Sequence, residues 1–136
     1  MKLKGIEFRI QKLEYKMEKR KSAQPFRDLV VWQKGHQLAL GVYSMTKSFP
    51  KEEMYGSTSQ VKRSSVSVAA NIAEGFKKKG KADKLRYFNI AQGSLSETEY
   101  YLILAKDLEY YDTEVLMMNA SEVGKLLESY INACNN

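Results

Sequence analysis

Ten consecutive residues, Lys77 to Arg86, carry six cations: Lys77, Lys78, Lys79, Lys81, Lys84 and Arg86. Ammonium and guanidinium groups at this density attract polyanions, phosphate backbones foremost. Part of the cluster has a plainer reading. Cations in the last turn of a helix complement its dipole by about 0.3–1 kcal/mol each. That accounts for Lys77, Lys78 and Lys79, which precede the break at Gly80. Lys81 and Lys84 follow the break, at the start of the next predicted helix, where the positive helix end disfavours cations. Helix capping does not explain them on sequence alone, whereas a phosphate would use their charges and the free N–H groups together. The corner is therefore a candidate binding site for RNA or DNA. Lys62 and Arg63 are included as further candidates, although they lie about four turns earlier on the preceding helix.

No other residues assemble into a chemical set. The motifs of zinc proteases, serine hydrolases, dinucleotide folds and P-loops are absent, and no Asp, Glu or His group has metal-ligand spacing. The chain is expected not to be an enzyme and to take neither metal nor cofactor. His36, the only histidine, falls in an apolar row with no Cys or Ser beside it, which favours a core or interface role. Asn71 and Glu74 sit one turn apart among Val68, Ala69, Ile72 and Ala73. They read as structural polar groups, satisfied by each other, by a backbone carbonyl or by a basic neighbour. Gly93 and Ser94, in mid-helix, are expected to let another helix approach closely. Nine tyrosines suit either base stacking or subunit interfaces.

Charge is strongly segregated along the chain. Residues 1–24 hold eight Lys/Arg and three Glu (+5), residues 62–86 eight against two (+6), and residues 87–136 two against eight (−6). Such fields can steer an anionic partner or match an opposite patch on a second subunit. The alternative function is thus a protein-interaction scaffold or accessory subunit with no nucleic-acid binding of its own. The lone Cys134 allows no internal disulfide and fits a reducing cytoplasm. No apolar run is long enough for a membrane span, and the N-terminus lacks the apolar core of a signal peptide.

These residues must be positioned by helices. Two prolines and eight glycines in 136 residues leave few breakers, and no period-two alternation of strand length occurs. Leu3, Ile6, Ile10, Leu13 and Met17, spaced 3-4-3-4, predict a basic amphipathic helix over residues 2–21. Its narrow stripe suits a partner or self-packing better than a membrane, because Glu7, Glu14 and Glu18 interrupt its charge. Met17 offers a second possible start. Four further helices are expected over about residues 28–49, 57–79, 82–110 and 113–133, with Asp28 as N-cap and Gly80 as a left-handed stop. The first of these four carries two apolar rows, one through Val31, Gly35, Leu38, Val42, Met45 and Phe49, the other through Leu29, Trp32, His36, Ala39 and Tyr43. Short connections force antiparallel neighbours. The expectation is an all-α protein: residues 1–24 an N-terminal extension, residues 25–136 an up-down-up-down antiparallel four-helix bundle.

An ordered set of motifs runs through the bundle. It comprises Phe26–Lys34 (FRDLVVWQK), Phe49-Pro50, Glu53–Gly56 (EMYG), Ser59–Arg63 (SQVKR), Ala70–Gly75 (ANIAEG) and Asn89–Glu97 (NIAQGSLSE). At these residues the chain resembles the 23S rRNA-intervening sequence protein family, over about residues 26–112. The resemblance implies a closed four-helix bundle that assembles as a homopentameric ring. Related accessory variability determinants of retroelements imply nucleic-acid binding through a basic surface and a reverse transcriptase or other protein partner. Three positions depart from the family pattern. Gly35 stands where alanine is usual, Ser57 where leucine is usual, and Lys78 near a usual arginine, which exchanges a bidentate fork for a point charge.

Overall fold

The apolar rows converge on one core. The computed structural model describes Gly5, residues 7–14 and residues 25–136, and every regular element within them is helical. Four helices form the body: α1 (Val30–Thr46), α2 (Ser57–Lys77), α3 (Lys81–Asp107) and α4 (Glu114–Asn135). Single 3-10 turns at Pro25–Asp28 and Lys51–Glu53 precede α1 and α2. Cross-helix contacts run antiparallel throughout. Gly35 faces Val68 and Ile72, Gly124 lies on Leu95, and Gly41 meets Leu116. Ser64 pairs with Thr98 and Ser67 with Ser94. The fold is an all-α helical bundle in which these contacts set successive helices antiparallel.

One row per helix supplies the interior. Val31, Leu38, Val42 and Met45 of α1 are buried against Val61, Val68 and Ile72 of α2. Phe88, Ala91, Leu95, Leu102 and Ala105 of α3 and Leu116, Ala120, Val123 and Leu127 of α4 complete the same cluster. The second row of α1 stays largely outside it: Ala39 is buried, whereas His36 and Tyr43 are exposed.

The α2–α3 interface is partly polar. Ser64 Oγ and Thr98 Oγ1 lie 2.8 Å apart, and Ser67 Oγ and Ser94 Oγ 2.7 Å apart. Local groups share in the seam. Ser64 Oγ and Thr98 Oγ1 also lie within hydrogen-bond distance of the Val61 and Ser94 carbonyls respectively, so one of the two hydroxyls donates across the seam and the other to its own helix. Asn71 Nδ2 donates to the Ser67 carbonyl and hydroxyl. Small hydroxyl residues let two long helices lie close while every buried polar atom finds a partner.

Several local expectations are corrected. Asp28 does not cap α1; it lies in the 3-10 turn, and Leu29 holds the N-cap position without a side-chain cap. Gly80 is not left-handed: its φ is −78°, and it serves as the N-cap of α3 after Lys78 has extended the chain. The left-handed residue among those described is Glu109, with φ 60°. It ends α3 in a Schellman turn, in which Tyr110 N–H bonds the Ala105 carbonyl and Glu109 N–H the Lys106 carbonyl. Gly93 admits no helix, since a Cβ there would meet nothing within 4 Å. Ser94, one residue on, faces α2.

The close approach occurs instead at Gly75. A Cβ at this position would lie 2.6 Å from the Phe88 ring and 3.2 Å from the Lys84 carbonyl oxygen. Of the N-terminal extension, residues 7–14 are helical and exposed. Leu3, Ile6 and Met17 of its stripe, and residues 22–24 of the expected break, lie outside the described residues.

Opposite results are expected from two Gly→Ala changes. Gly75→Ala should cost about 1–3 kcal/mol by overpacking, despite its helix-propensity gain. Gly35→Ala, whose Cβ would sit at an ordinary 3.6 Å from Ile72 and Val68, should gain about 0.5–1 kcal/mol. Urea unfolding followed by circular dichroism measures both.

Candidate functional site

The lysine corner is built where α2 hands over to α3, on the support of Phe88. That ring fills the space left by Gly75 and meets Tyr130 of α4 edge-on, with centroids 5.5 Å apart. Burial raises the Tyr130 phenol above its ordinary pKa, and the Cys134 thiol adds to the shift. Three chain ends therefore meet here: the C-terminus of α2, the N-terminus of α3 and the C-terminus of α4.

Two of the lysines are committed to those ends. Lys84 Nζ donates to the carbonyls of Phe76 at 2.7 Å and Gly75 at 3.2 Å, closing the last turn of α2. Lys81 Nζ reaches the Asn135 carbonyl of α4 at 3.4 Å. The premise that capping leaves Lys81 and Lys84 unexplained is thus overturned. Each starts its own helix but caps a different one. Counting the dipole of α3 alone misses the two C-termini, with their unpaired carbonyls, at the same end of the bundle.

The remaining cations are freer. Lys78 Nζ lies 3.8 Å from Glu74 Oε2 and 5.1 Å from the centroid of the Tyr87 ring. The Arg86 guanidinium lies 5.0 Å from the same ring. Tyr87 thus holds two cations by its π-face, a contact for which the sequence carries only the adjacency of Arg86 and Tyr87. Lys77 and Lys79 are exposed and make no hydrogen bond or ion pair with the described residues. Both point of charge and access therefore concentrate on these two.

The structure does not bring Lys62 and Arg63 to the corner. Sixteen helical residues place Lys62 about 24 Å from Lys78 along α2. Arg63 is held by both carboxylate oxygens of Glu97, at 2.5 and 2.6 Å, and by Gln60 Oε1 at 3.1 Å. Lys62 lies over Tyr43, 4.9 Å from its centroid. Asn71 belongs to the α2–α3 polar seam, while Glu74 is exposed and pairs with Lys78.

The outer apolar row of α1 forms a second surface. Phe26, Trp32, His36, Leu40, Tyr43 and Val66 line an open apolar groove of about 430 Å³ between α1 and α2. His36 is exposed there and stacks on Trp32, centroids 5.0 Å apart, so it is not a core residue. The outer row of α1 was the available signal. Among the described residues, no group of three or more His, Cys, Asp or Glu could hold a metal ion. No described helix is long and apolar enough to cross a membrane.

The model of the 23S rRNA-intervening sequence protein family matches residues 27–129. Among solved structures, the chain is similar to a protein of unknown function from the S23 ribosomal protein family of Bacteroides thetaiotaomicron. Identity is 30% and the TM-score 0.68, over 75% of this chain and 98% of that one. No curated protein matches.

Lys84→Met retains the aliphatic stem and removes the ammonium from the α2 carbonyls. It is expected to destabilise the bundle by about 1–2 kcal/mol, the loss of a charged cap. Lys79→Met should stay within about 0.5 kcal/mol of wild type. Thermal and urea unfolding of the two variants give the comparison.

Proposed function

The chain belongs to the 23S rRNA-intervening sequence protein family, and we propose that it acts as a non-enzymatic, homo-oligomeric bundle that binds nucleic acid through the lysine corner. The observation that carries this reading is the pair Lys77 and Lys79, exposed and without an acidic partner among the described residues, beside four further cations. Lys81 and Lys84 keep their charge while capping, so they contribute field even where their protons are engaged. Lys78 and Arg86, poised on Tyr87, add two more positive groups at the same end. The ligand is a phosphate backbone, RNA or DNA, read by charge rather than by base edges.

The resemblance to ring-forming relatives suggests a homopentamer, and a ring would repeat the corner five-fold. Weak single contacts then add through effective concentration. Cytoplasmic residence agrees with such a ligand.

A second reading rests on the groove between α1 and α2. Its exposed Leu40, Tyr43 and Val66 form an apolar surface suited to a protein, either another subunit or a partner such as a reverse transcriptase. In that scaffold reading the corner lysines meet acids of a neighbour instead of phosphates.

Fluorescence anisotropy with labelled structured RNA and duplex DNA, from about 50 to about 200 mM salt, separates the readings. Binding that weakens steeply with salt is expected. Lys77→Glu with Lys79→Glu should cut affinity at least about ten-fold, each lost phosphate contact also lowering the salt slope by about one. Lys62→Glu should change little. Absence of binding at low salt, or equal effects of both variants, contradicts the proposal.

A further inference from the structure

Aromatic rings at the α2–α3 joint are shared across it. Lys84, at the start of α3, lies 5.4 Å from the centroid of the Phe76 ring at the end of α2. Lys78, which closes α2, lies 5.1 Å from the centroid of the Tyr87 ring on α3. Arg86 lies 5.0 Å from that same centroid, and its Nη2 stands 3.5 Å from the Tyr87 hydroxyl. Tyr87, itself half-buried, thus takes one cation from each side of the turn at Gly80.

How a cation is held decides what it can still do. Both carboxylate oxygens of Glu97 clamp Arg63, so its charge is matched where it stands. An aromatic ring attracts a cation through its quadrupole and carries no net charge. The ammonium and guanidinium groups on Tyr87 therefore keep their field for an outside anion. The ring also restricts where two long side chains point, which lowers the ordering entropy that a ligand must overcome. Lys78 has one acidic neighbour, Glu74, at 3.8 Å, with both side chains more than a third exposed. A surface pair of that kind is easily exchanged for a phosphate.

We propose that Tyr87 is a positioning residue of the nucleic-acid site. Its ring holds Lys78 and Arg86 ordered and still charged for phosphate contact, and does not itself touch the ligand. The inference rests on the reading of the lysine corner as a phosphate-binding site. It divides that site into two parts: Lys77 and Lys79 stand free, while Lys78 and Arg86 are aimed.

Fluorescence anisotropy with labelled structured RNA at about 50 mM salt compares wild type with Tyr87→Leu and Tyr87→Phe. Tyr87→Leu should weaken binding about three- to ten-fold. It should also lower the salt slope by up to about two, one for each cation released. Tyr87→Phe keeps the ring and should stay within about two-fold of wild type. In a chain carrying Lys78→Gln and Arg86→Gln, Tyr87→Leu should cost nothing further, because a positioning residue acts only through the groups it holds. NMR of dimethylated lysines reads the contact in the free protein. The Lys78 methyl signal should carry a ring-current shift that Tyr87→Leu removes and Tyr87→Phe keeps. Circular dichroism verifies that each variant is folded. Wild-type binding that Tyr87→Leu leaves unchanged overturns the positioning role alone, as does a Lys78 signal without the shift. An equal loss in Tyr87→Phe would assign the hydroxyl instead. A further loss in the doubly substituted chain would put the ring against the ligand, as base stacking requires; either result overturns the proposal. Absence of wild-type binding overturns the phosphate site itself, and the positioning role with it.

Discussion

The Phe88 ring occupies the place that any side chain at position 75 would take. This single exclusion sets the spacing of α2 and α3 at their joint, and much else depends on it. With Phe88 seated on Gly75, the backbone of Lys84 comes within contact of α2, and its ammonium reaches the carbonyls that end that helix. Further along the same interface, the spacing suits serine and threonine, whose hydroxyls pair across the seam. A larger residue at position 75 would part the helices where the cations are organised. Packing and charge placement are one problem at this joint.

The electrostatics of the bundle end follow from its topology. The antiparallel succession of helices brings the C-termini of α2 and α4 and the N-termini of α1 and α3 to one end. Two sets of unpaired carbonyls attract Lys81 and Lys84. Lys77 and Lys79 are left without a task in the fold, and that surplus is what a ligand can use. At the far end the Schellman turn at Glu109 and the start of α4 display carboxylates that form no ion pair among the described residues. The molecule is polar along its axis, basic at one end and acidic at the other.

The bundle was legible because its rows are nearly unbroken. Phe88, Ala91, Leu95, Thr98, Leu102 and Ala105 are all buried, as their 4/3 spacing requires. The family match over residues 27–129 agrees with the ordered motifs. What escaped was long-range or conformational. Nothing local says that Lys84 caps the preceding helix or that Lys81 reaches α4, because both partners are backbone carbonyls brought near by the fold. Gly80 looked like a left-handed stop, yet the chain turns there with negative φ, and a glutamate takes the left-handed role at α3's end. Gly93 reads as the packing glycine on pattern, whereas the close approach falls at Gly75, which the pattern does not single out and which only the position of Phe88 reveals. Lys62 and Arg63 belonged to the basic segment by sequence, but helix rise alone carries them far from its corner.

Six neighbouring cations divide between two tasks: Lys81 and Lys84 cap helix ends, and Lys77 and Lys79 are the ones proposed to meet a polyanion. Lysine acetylation kinetics, read by mass spectrometry with and without structured RNA, tests that division residue by residue. Lys77 and Lys79 should react fastest in the free protein and become protected by RNA at low salt, while Lys84 reacts slowly in both states. Equal reactivity of Lys84 and Lys79, or Lys77 and Lys79 modified at the same rate with and without RNA, would contradict the account.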